Sequence, residues 1–165
     1  MLGAPAPLAA HHRFADFDSG VTSLDEWLKR RALQNQSSGA SRTFVVCEGA
    51  SVVAYYALAS SAVALNGAPA KFRRNMPDPI PVIILGRLAI ARSHHRRGLG
   101  PALFQNAARR ALDAGAAIGF RGLLVHAISN DAREFYLRLG VLPSPLDPMT
   151  LMVTAAELRL ASGTS

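Results

Sequence analysis

The sequence lacks the residues that build disulfide-bonded and zinc-binding proteins. It contains one cysteine, Cys47, among 165 residues, which excludes an internal disulfide. Four of the five histidines are immediate neighbours, His11 with His12 and His94 with His95, rather than ligands at zinc-site spacing. We therefore expect no bound metal, and a single cysteine is typical of a protein of the reducing cytoplasm.

Long apolar runs and targeting signals are also lacking. No hydrophobic run approaches the roughly 20 residues that cross a bilayer, and residues 1–4 show neither the basic start nor the apolar centre of a signal peptide. These absences predict a cytoplasmic protein with no membrane association. Half of the residues are hydrophobic, which predicts one folded domain over residues 1–165, with residues 1–12 and 155–165 as loose tails.

Acidic residues are few. The chain has 11 of them against 18 lysines and arginines, a net charge of +7, and all but two of these cations are arginines. Because the guanidinium fork matches the geometry of phosphate, this imbalance favours a polyanionic partner such as nucleic acid. The other interpretation, that the charge only keeps the protein in solution, stays open at this point.

One stretch predicts a phosphate-binding turn. Residues 82–90 are almost all apolar, as in a central strand covered on both faces, and residues 100–117 have helical spacing. Between them lies a basic turn in which Gly98 and Gly100 let backbone approach a ligand, while Pro101 suits the first helical position. Unpaired N–H groups at a helix start attract phosphate. The alternative is an ordinary turn that needs its glycines only for its shape.

Four further segments have the composition of β-strands. Each is short, rich in apolar or β-branched residues and bounded by turn residues; they are residues 43–47, 51–64, 122–128 and 149–153. The first two flank a short turn and predict a hairpin. Strands that alternate with helices predict an α/β or mixed α+β fold.

Capping residues mark the predicted helix boundaries. Ser23 and Glu26 have the spacing of a capping box, which predicts a helix from there to about Gln36. Residues 129–131 offer caps for a later helix, and Gly140 is suited to end that helix.

A long connection over residues 66–81 contains a basic cluster, residues 71–74, which includes Phe72. A loop of this length within a compact domain often has a function. A contact with RNA and a solvated loop whose Phe72 fills the core are both compatible with the sequence.

Two motifs resemble those of a known enzyme family. Residues 95–100 are similar to motif A of the GNAT acetyltransferases, Gln/Arg-x-x-Gly-x-Gly/Ala, with His95 where the family usually has Gln or Arg. Residues 130–140, which include Phe135 and Tyr136, resemble motif B of that family. The resemblance implies the GNAT fold, a central mixed sheet with splayed strands flanked by helices. Acetyl-CoA would lie between the two parallel strands predicted at residues 82–90 and 122–128.

Further stretches resemble a narrower group, the TacT-like acetyltransferase toxins of type II toxin–antitoxin modules. The similarity extends over residues 13–153 and is carried by residues 17–20, 24–28, 38–46, 55–59, 72–81 and 85–89. It implies that the chain acetylates the α-amino group of aminoacyl-tRNA and blocks translation. It also implies a homodimer and a cognate antitoxin with a ribbon-helix-helix DNA-binding part.

The resemblance assigns roles to individual residues. It implies that Tyr136 is the general acid that protonates the departing thiolate. Acetyl-CoA would contact the end of the central strand, the turn and two residues of the later helix: Leu88, Ala89, Ile90, His95, Arg96, Arg97, Gly98, Leu99, Gly100, Pro101, Asn130 and Phe135. Among the basic residues, we expect Arg73, Arg74 and Arg87 to contact tRNA phosphates, because they flank the acceptor side of the central strand.

The predicted central strand, residues 82–90, has no carboxylate that could act as a base. A lysine amine titrates near about 10.4 and is protonated at neutral pH, whereas an α-amine titrates near about 7.7–8.0. An adjacent ester lowers the pKa of an α-amine further. The missing carboxylate therefore indicates that the acceptor amine arrives largely neutral and that the enzyme needs no dedicated base.

Two rival functions remain compatible with the sequence. A GNAT enzyme for a small amine, such as an antibiotic, would share the fold and the use of acetyl-CoA, but it would need acidic residues around a cationic substrate. A basic RNA-binding domain without enzymatic activity would use the glycine turn only for packing and would not bind acetyl-CoA.

Overall fold

The computed structural model describes residues 1–161. These residues form seven β-strands, six α-helices and two short 3-10 helices, so the predicted mixture of strands and helices is confirmed. Two compact units contain them. The first comprises Met1–Ala59 and Gly86–Ala107, and the second comprises Ser60–Leu85 and the residues from Ala108 onward.

Antiparallel strands in the order β1-β2-β3 form the sheet of the first unit. β1 (Ala6–Pro7) pairs with β2 (Arg42–Glu48), and β2 forms the predicted hairpin with β3 (Ser51–Val63). The N–H of Leu8 donates to the carbonyl of Thr43 at 2.9 Å, and Leu8 is 3% exposed. The amino-terminal residues 1–12 therefore include a paired edge strand and a buried anchor, where composition had predicted a loose tail.

The helix predicted to reach Gln36 is interrupted. It consists of α1 (Thr22–Arg30) and α2 (Ala32–Ser38). Between them Arg31 has a φ of −122°, which departs from helical geometry. Gly39 ends α2 in the left-handed conformation, with a φ of 82°.

The capping box expected within residues 23–26 does not form. Val21 is the N-cap residue of α1 and makes no side-chain cap hydrogen bond. The helix start is held instead by the buried carboxylate of Asp25, which accepts from the N–H of Ser19 at 3.0 Å and from its hydroxyl at 2.6 Å. The prediction was wrong because the segment before the helix folds back onto Asp25, and a local sequence pattern does not include that contact.

The remaining strands follow in the order β4-β5-β7-β6 and form a mixed arrangement. They are β4 (Ile80–Ile90), β5 (Gly122–His126), β6 (Leu142–Pro143) and β7 (Thr150–Thr154). Of β4, the residues up to Leu85 belong to the second unit and those from Gly86 onward to the first. β4 and β5 are parallel neighbours, as the resemblance implied, and their register runs from Val82 opposite Gly122 to Leu85 opposite Val125. β7 pairs antiparallel with both β5 and β6.

A helix follows each of the parallel strands β4 and β5 in the chain. They are α4 (Leu99–Ile118) and α5 (Asn130–Arg138). Ser129 caps α5, since its hydroxyl accepts from the N–H of Ala132 at 3.1 Å. Gly140 follows the end of α5 with a φ of 91°, so both predicted signals for this helix are confirmed.

The long connection before β4 is more ordered than its sequence indicates. It contains a 3-10 turn (Leu65–Gly67) and the short helix α3 (Ala70–Arg73). Phe72 is 2% exposed and belongs to a buried cluster with Ile80, Val82, Leu124 and Met152, among others. The expectation that Phe72 fills the core is confirmed, whereas contact of the surrounding basic residues with RNA stays a prediction.

Residues 155–161, expected to be a loose tail, form helix α6 (Ala155–Ala161). Its start has a complete capping box: the Thr154 hydroxyl accepts from the N–H of Glu157 at 3.0 Å, and the Glu157 carboxylate accepts from the N–H of Thr154 at 3.2 Å. Leu158 is buried and ties the helix to the second unit. Residues 162–165 lie outside the described residues.

Two features are absent from residues 1–161. None of the helices there combines the length and the hydropathy that crossing a membrane requires. No three histidine, cysteine, aspartate or glutamate side chains within that range lie close enough together to hold a metal ion.

The burial of Phe72 yields a prediction about stability. Replacing Phe72 with alanine should lower the free energy of unfolding by about 3–5 kcal/mol, because a large aromatic side chain leaves a cavity in the core. Urea denaturation followed by circular dichroism measures the change. The neighbouring substitution Arg73→Ala, at an exposed position, is the control and should change stability by less than about 0.5 kcal/mol. A Phe72→Ala protein as stable as this control would contradict the burial.

Candidate functional site

A short turn joins β4 to α4 in the first unit. After Ile90 the chain forms one turn of 3-10 helix (Arg92–His94), then an exposed bend over residues 95–98, and then α4. Arg96 and Gly98 have positive φ values of 62° and 76°. Glycine adopts this conformation freely, whereas an arginine there is strained, as is common at turns that bind ligands.

Backbone N–H groups gather at the end of this turn. Because α4 begins at Leu99, the N–H groups of Gly98, Leu99 and Gly100 have no acceptor within the helix, and the helix dipole gives them a positive potential. Pro101 is the third residue of α4 and not the first, as its sequence had predicted, because the helix starts two residues earlier than Pro101. Proline at the third position breaks no helical hydrogen bond, but it ends the row of donors at Gly100.

His95 turns back toward the strand that precedes it. Its ring Nε2 lies 2.7 Å from the carbonyl oxygen of Ile90. A carbonyl only accepts, so Nε2 carries the proton and donates. Of the side-chain donors expected at this turn, Arg96 and Arg97 are exposed, and the Nε2 of His95 is engaged in fixing the turn.

The residues expected to line the pantetheine arm sit at the end of β4. Ala89 is 4% exposed, and Leu88 and Ile90 are half-buried. The strand end is fastened directly after Ile90, where the N–H of Ala91 donates to the carbonyl of Val53 at 2.8 Å. These residues and the turn thus belong to one compact unit.

Arg87 is engaged with an aromatic ring. Its guanidinium carbon lies 4.4 Å from the centroid of Trp27, and Trp27 is stacked on Tyr55 with a centroid distance of 6.0 Å. Burial lowers the pKa of Arg87 and raises that of Tyr55. The Tyr55 hydroxyl donates to the carbonyl of Leu24 at 2.6 Å. Arg87, predicted to contact tRNA, is therefore half-buried in a cation–π stack.

Tyr136 lies in the second unit, on α5. It is 6% exposed, and burial raises the pKa of its phenol well above the ordinary value. The ring of Phe135 meets it edge-on at a centroid distance of 5.1 Å. Asn130, the first residue of α5, is exposed. The hydroxyl of Tyr136 is consequently a neutral donor throughout the physiological pH range.

Arg73 and Arg74 are exposed at the end of α3. The third cation of this cluster, Lys71, pairs with Glu157 at 3.2 Å. The backbone below them is fixed, because the guanidinium of Arg121 donates to the carbonyls of Phe72 at 2.7 Å and Lys71 at 2.9 Å. Two guanidinium groups are thus presented to solvent on a well-supported turn.

The sequence analysis missed two residues that shape the first unit. Trp27 entered it only within residues 24–28, which carry the family resemblance, although the guanidinium of Arg87 lies over this ring. His94 entered it only as the neighbour of His95, whereas His94 is buried and its side chain contacts Glu48. Trp27 is the only tryptophan, which marked it as unusual, but no local pattern indicated its partner.

Comparison with curated proteins finds a relative of known activity. The chain is 45% identical over 160 residues to the tRNA-acetylating toxin of Mycobacterium tuberculosis, a match that covers 97% of this chain and 96% of the relative. Nearly the full length of both proteins is therefore aligned.

Solved structures share the fold. AtaT complexed with acetyl-methionyl-tRNAfMet matches with a TM-score of 0.90 at 27% identity, over 98% of this chain and 99% of AtaT. A tyrosine-to-phenylalanine mutant of AtaT bound to the carboxyl terminus of the antitoxin AtaR and to acetyl-CoA matches with a TM-score of 0.85 at 26% identity, over 99% of each chain. The sequence profile of the acetyltransferase (GNAT) family matches residues 9–141. With these matches and the motif A turn in place, the chain belongs to the GNAT acetyltransferase family.

Proposed function

We propose that this chain transfers the acetyl group of acetyl-CoA to the α-amino group of aminoacyl-tRNA and thereby blocks translation. The observation that carries the proposal is the 45% identity, over almost the full length, to a tRNA-acetylating toxin. Structural neighbours bound to acetyl-methionyl-tRNA and to acetyl-CoA support both substrates. The strong positive charge of the chain suits a nucleic-acid substrate.

The turn before α4 fits the diphosphate of acetyl-CoA. The N–H groups of Gly98, Leu99 and Gly100 supply backbone donors, and Arg96 and Arg97 supply exposed guanidinium groups. A Cβ built on Gly98 meets no other atom within 4 Å, so space is open beside the backbone. Leu88, Ala89 and Ile90 would hold the pantetheine arm, and Asn130 and Phe135 would complete the contacts. Acetyl-CoA supplies an acetyl thioester, which an amine attacks.

Tyr136 acts as the general acid in this proposal. As the amine nitrogen bonds to the acetyl carbon, the carbon–sulfur bond breaks and negative charge develops on sulfur. A phenol kept protonated by burial donates a hydrogen bond where this charge develops and then its proton. The amine releases its extra proton to solvent, and the phenolate of Tyr136 takes up a proton from solvent, which restores the acid and balances the reaction.

The acceptor amine needs no dedicated base. β4 contains no aspartate or glutamate over its whole length, Ile80–Ile90. An α-amine next to an ester is substantially neutral at physiological pH, unlike the amine of a lysine. The enzyme would therefore use an acceptor whose α-amine is already neutral, with its nitrogen lone pair available for attack.

Arg73 and Arg74 are the cations best placed to bind tRNA. Both are exposed on the supported turn at the end of α3, where they can pair with phosphate. Arg87 differs from them, because its guanidinium already stacks on Trp27. We propose that Arg87 contributes by shaping the acceptor side of β4 as well as by its charge.

The partners follow from the same relationship. We propose that the chain works in the cytoplasm as a homodimer and that a small antitoxin with a ribbon-helix-helix DNA-binding part neutralises it. The complex of the neighbour AtaT with the antitoxin AtaR supports a toxin–antitoxin pair. Acetylation of a small amine is less favoured, because a cationic substrate needs acidic residues and the chain has only 11.

An acetylation assay tests the reaction and the general acid together. Radiolabelled acetyl-CoA is incubated with charged tRNA and, separately, with deacylated tRNA. We expect label on the charged pool alone, and we expect Tyr136→Phe to lower kcat about 10²–10⁴-fold, the usual contribution of a general acid.

The matched control in that assay is Tyr55→Phe. Tyr55 is also a buried phenol, but its hydroxyl donates to the carbonyl of Leu24, so its loss should lower stability and leave kcat nearly unchanged. Label on deacylated tRNA would contradict the substrate, and full activity of Tyr136→Phe would contradict the role of the phenol.

The pH profile tests whether the acceptor titrates by itself. The logarithm of kcat/KM for charged tRNA should rise with pH and level off at the pKa of the acceptor amine, because only the neutral amine attacks. Two tRNAs whose amino acids differ in α-amine pKa should give inflections displaced by the same difference. Should both acceptors share a single inflection, an enzyme group would be the base and the hypothesis would fail.

Charge reversal tests the tRNA contacts. Arg73→Glu and Arg74→Glu should each weaken tRNA binding and reduce the slope of log K against log salt by about 1. Arg109→Glu, an equal change at an exposed residue of α4, is the control for non-specific charge. Filter binding at several salt concentrations measures the slope. If the Arg73 and Arg74 variants behave like the control, neither residue contacts tRNA.

A further inference from the structure

His94 is the one buried residue of the segment that contains the turn. Among residues 92–98, His94 is buried, with a relative exposure of 7%, and the other six residues are exposed. This segment leads into the backbone donors at residues 98–100. Contacts that hold the His94 side chain therefore help to hold the N–H groups of residues 98–100 in position within the first unit.

Both ring nitrogens of His94 have partners. Nε2 lies 3.0 Å from a carboxylate oxygen of Glu48, and Nδ1 lies 2.7 Å from the hydroxyl of Ser93. An ionised carboxylate only accepts, so Nε2–H donates to Glu48. The hydrogen bond from His94 lowers the pKa of Glu48, which keeps the acceptor ionised.

Glu48 is itself held in place. It is the last residue of β2, paired opposite Ser51, and it also forms a bridge with Leu2. Its side chain is 52% exposed, so it contributes little to the core. The pair thus connects a rigid hairpin end to the turn before α4.

Arg92, at the start of the same segment, is tied to Asp18 through its backbone, since its N–H donates to the carbonyl oxygen of Asp18 at 2.8 Å. The side-chain contact of the same two residues is exposed. The guanidinium of Arg92 lies 3.2 Å from the Asp18 carboxylate, and these side chains are 66% and 62% exposed. Water and salt weaken such a pair. Of the two side-chain ion contacts made by residues 92–98 within the described chain, Glu48–His94 is therefore the better protected from solvent.

We propose that Glu48 and His94 are positioning residues for acetyl-CoA: their hydrogen bond holds the turn over residues 95–98 so that the N–H groups of residues 98–100 meet the diphosphate. The inference rests on the proposed function. The inference gives the end of β2 a role in binding acetyl-CoA that acts through His94 and not through direct contact.

Steady-state kinetics and calorimetry test the proposal. Glu48→Ala should raise the KM and the Kd of acetyl-CoA about five- to tenfold, the effect of losing one hydrogen bond. kcat and the KM for charged tRNA should stay within about twofold of the native values. Glu48→Gln retains an oxygen acceptor for Nε2–H and should restore most of the affinity. Asp18→Ala, which removes the exposed side-chain contact, is the matched control and should have little effect.

A truncated donor locates the effect at the diphosphate. S-acetyl-pantetheine has the thioester but no diphosphate, so Glu48→Ala should leave its KM unchanged. An unchanged KM for acetyl-CoA in folded Glu48→Ala protein, checked by circular dichroism, would overturn the inference. So would an equal loss with both donors. If the native protein binds no acetyl-CoA in the calorimeter, the proposed function fails instead, and the two failures are thereby distinguished.

Discussion

Backbone N–H groups can bind a diphosphate only if they are held at fixed positions, and here a short exposed turn must hold them. The left-handed conformation of Arg96 is costly for any residue other than glycine, so the turn requires support from its surroundings. That support comes from the Ile90 carbonyl on one side of the turn and from Glu48 on the other. In the proposed function, the binding of the diphosphate before α4 would therefore depend on β2 and β4.

The basic cluster at α3, proposed to contact tRNA, has a similar arrangement of exposed groups above fixed supports. Arg73 and Arg74 are exposed, but Phe72 between them and the core is fully packed. Arg121 fastens the backbone carbonyls of the same helix. A fixed backbone reduces the conformational entropy lost when the exposed residues bind a partner. The buried ring of Phe72 would support binding by the basic cluster in this way.

Local patterns predicted the elements that local physics determines. The apolar run of β4, the glycine turn, the Ser129 cap and the Gly140 stop of α5 all depend on neighbouring residues. The failures concern long-range contacts. The predicted capping box near Ser23 is replaced by the contact between Ser19 and Asp25. Arg87 meets Trp27 only in the tertiary structure. The Thr154–Glu157 box that begins α6 is a local signal with capping-box spacing, and it orders a segment that composition alone predicts to be loose.

The stack of Arg87 on Trp27 gives the protein a built-in optical reporter. Trp27 is the only tryptophan, and it belongs to the first compact unit. Its emission therefore reports on the surroundings of one unit, whereas far-ultraviolet ellipticity averages over the helices of both. A comparison of the two signals during denaturation reveals whether the two units melt together.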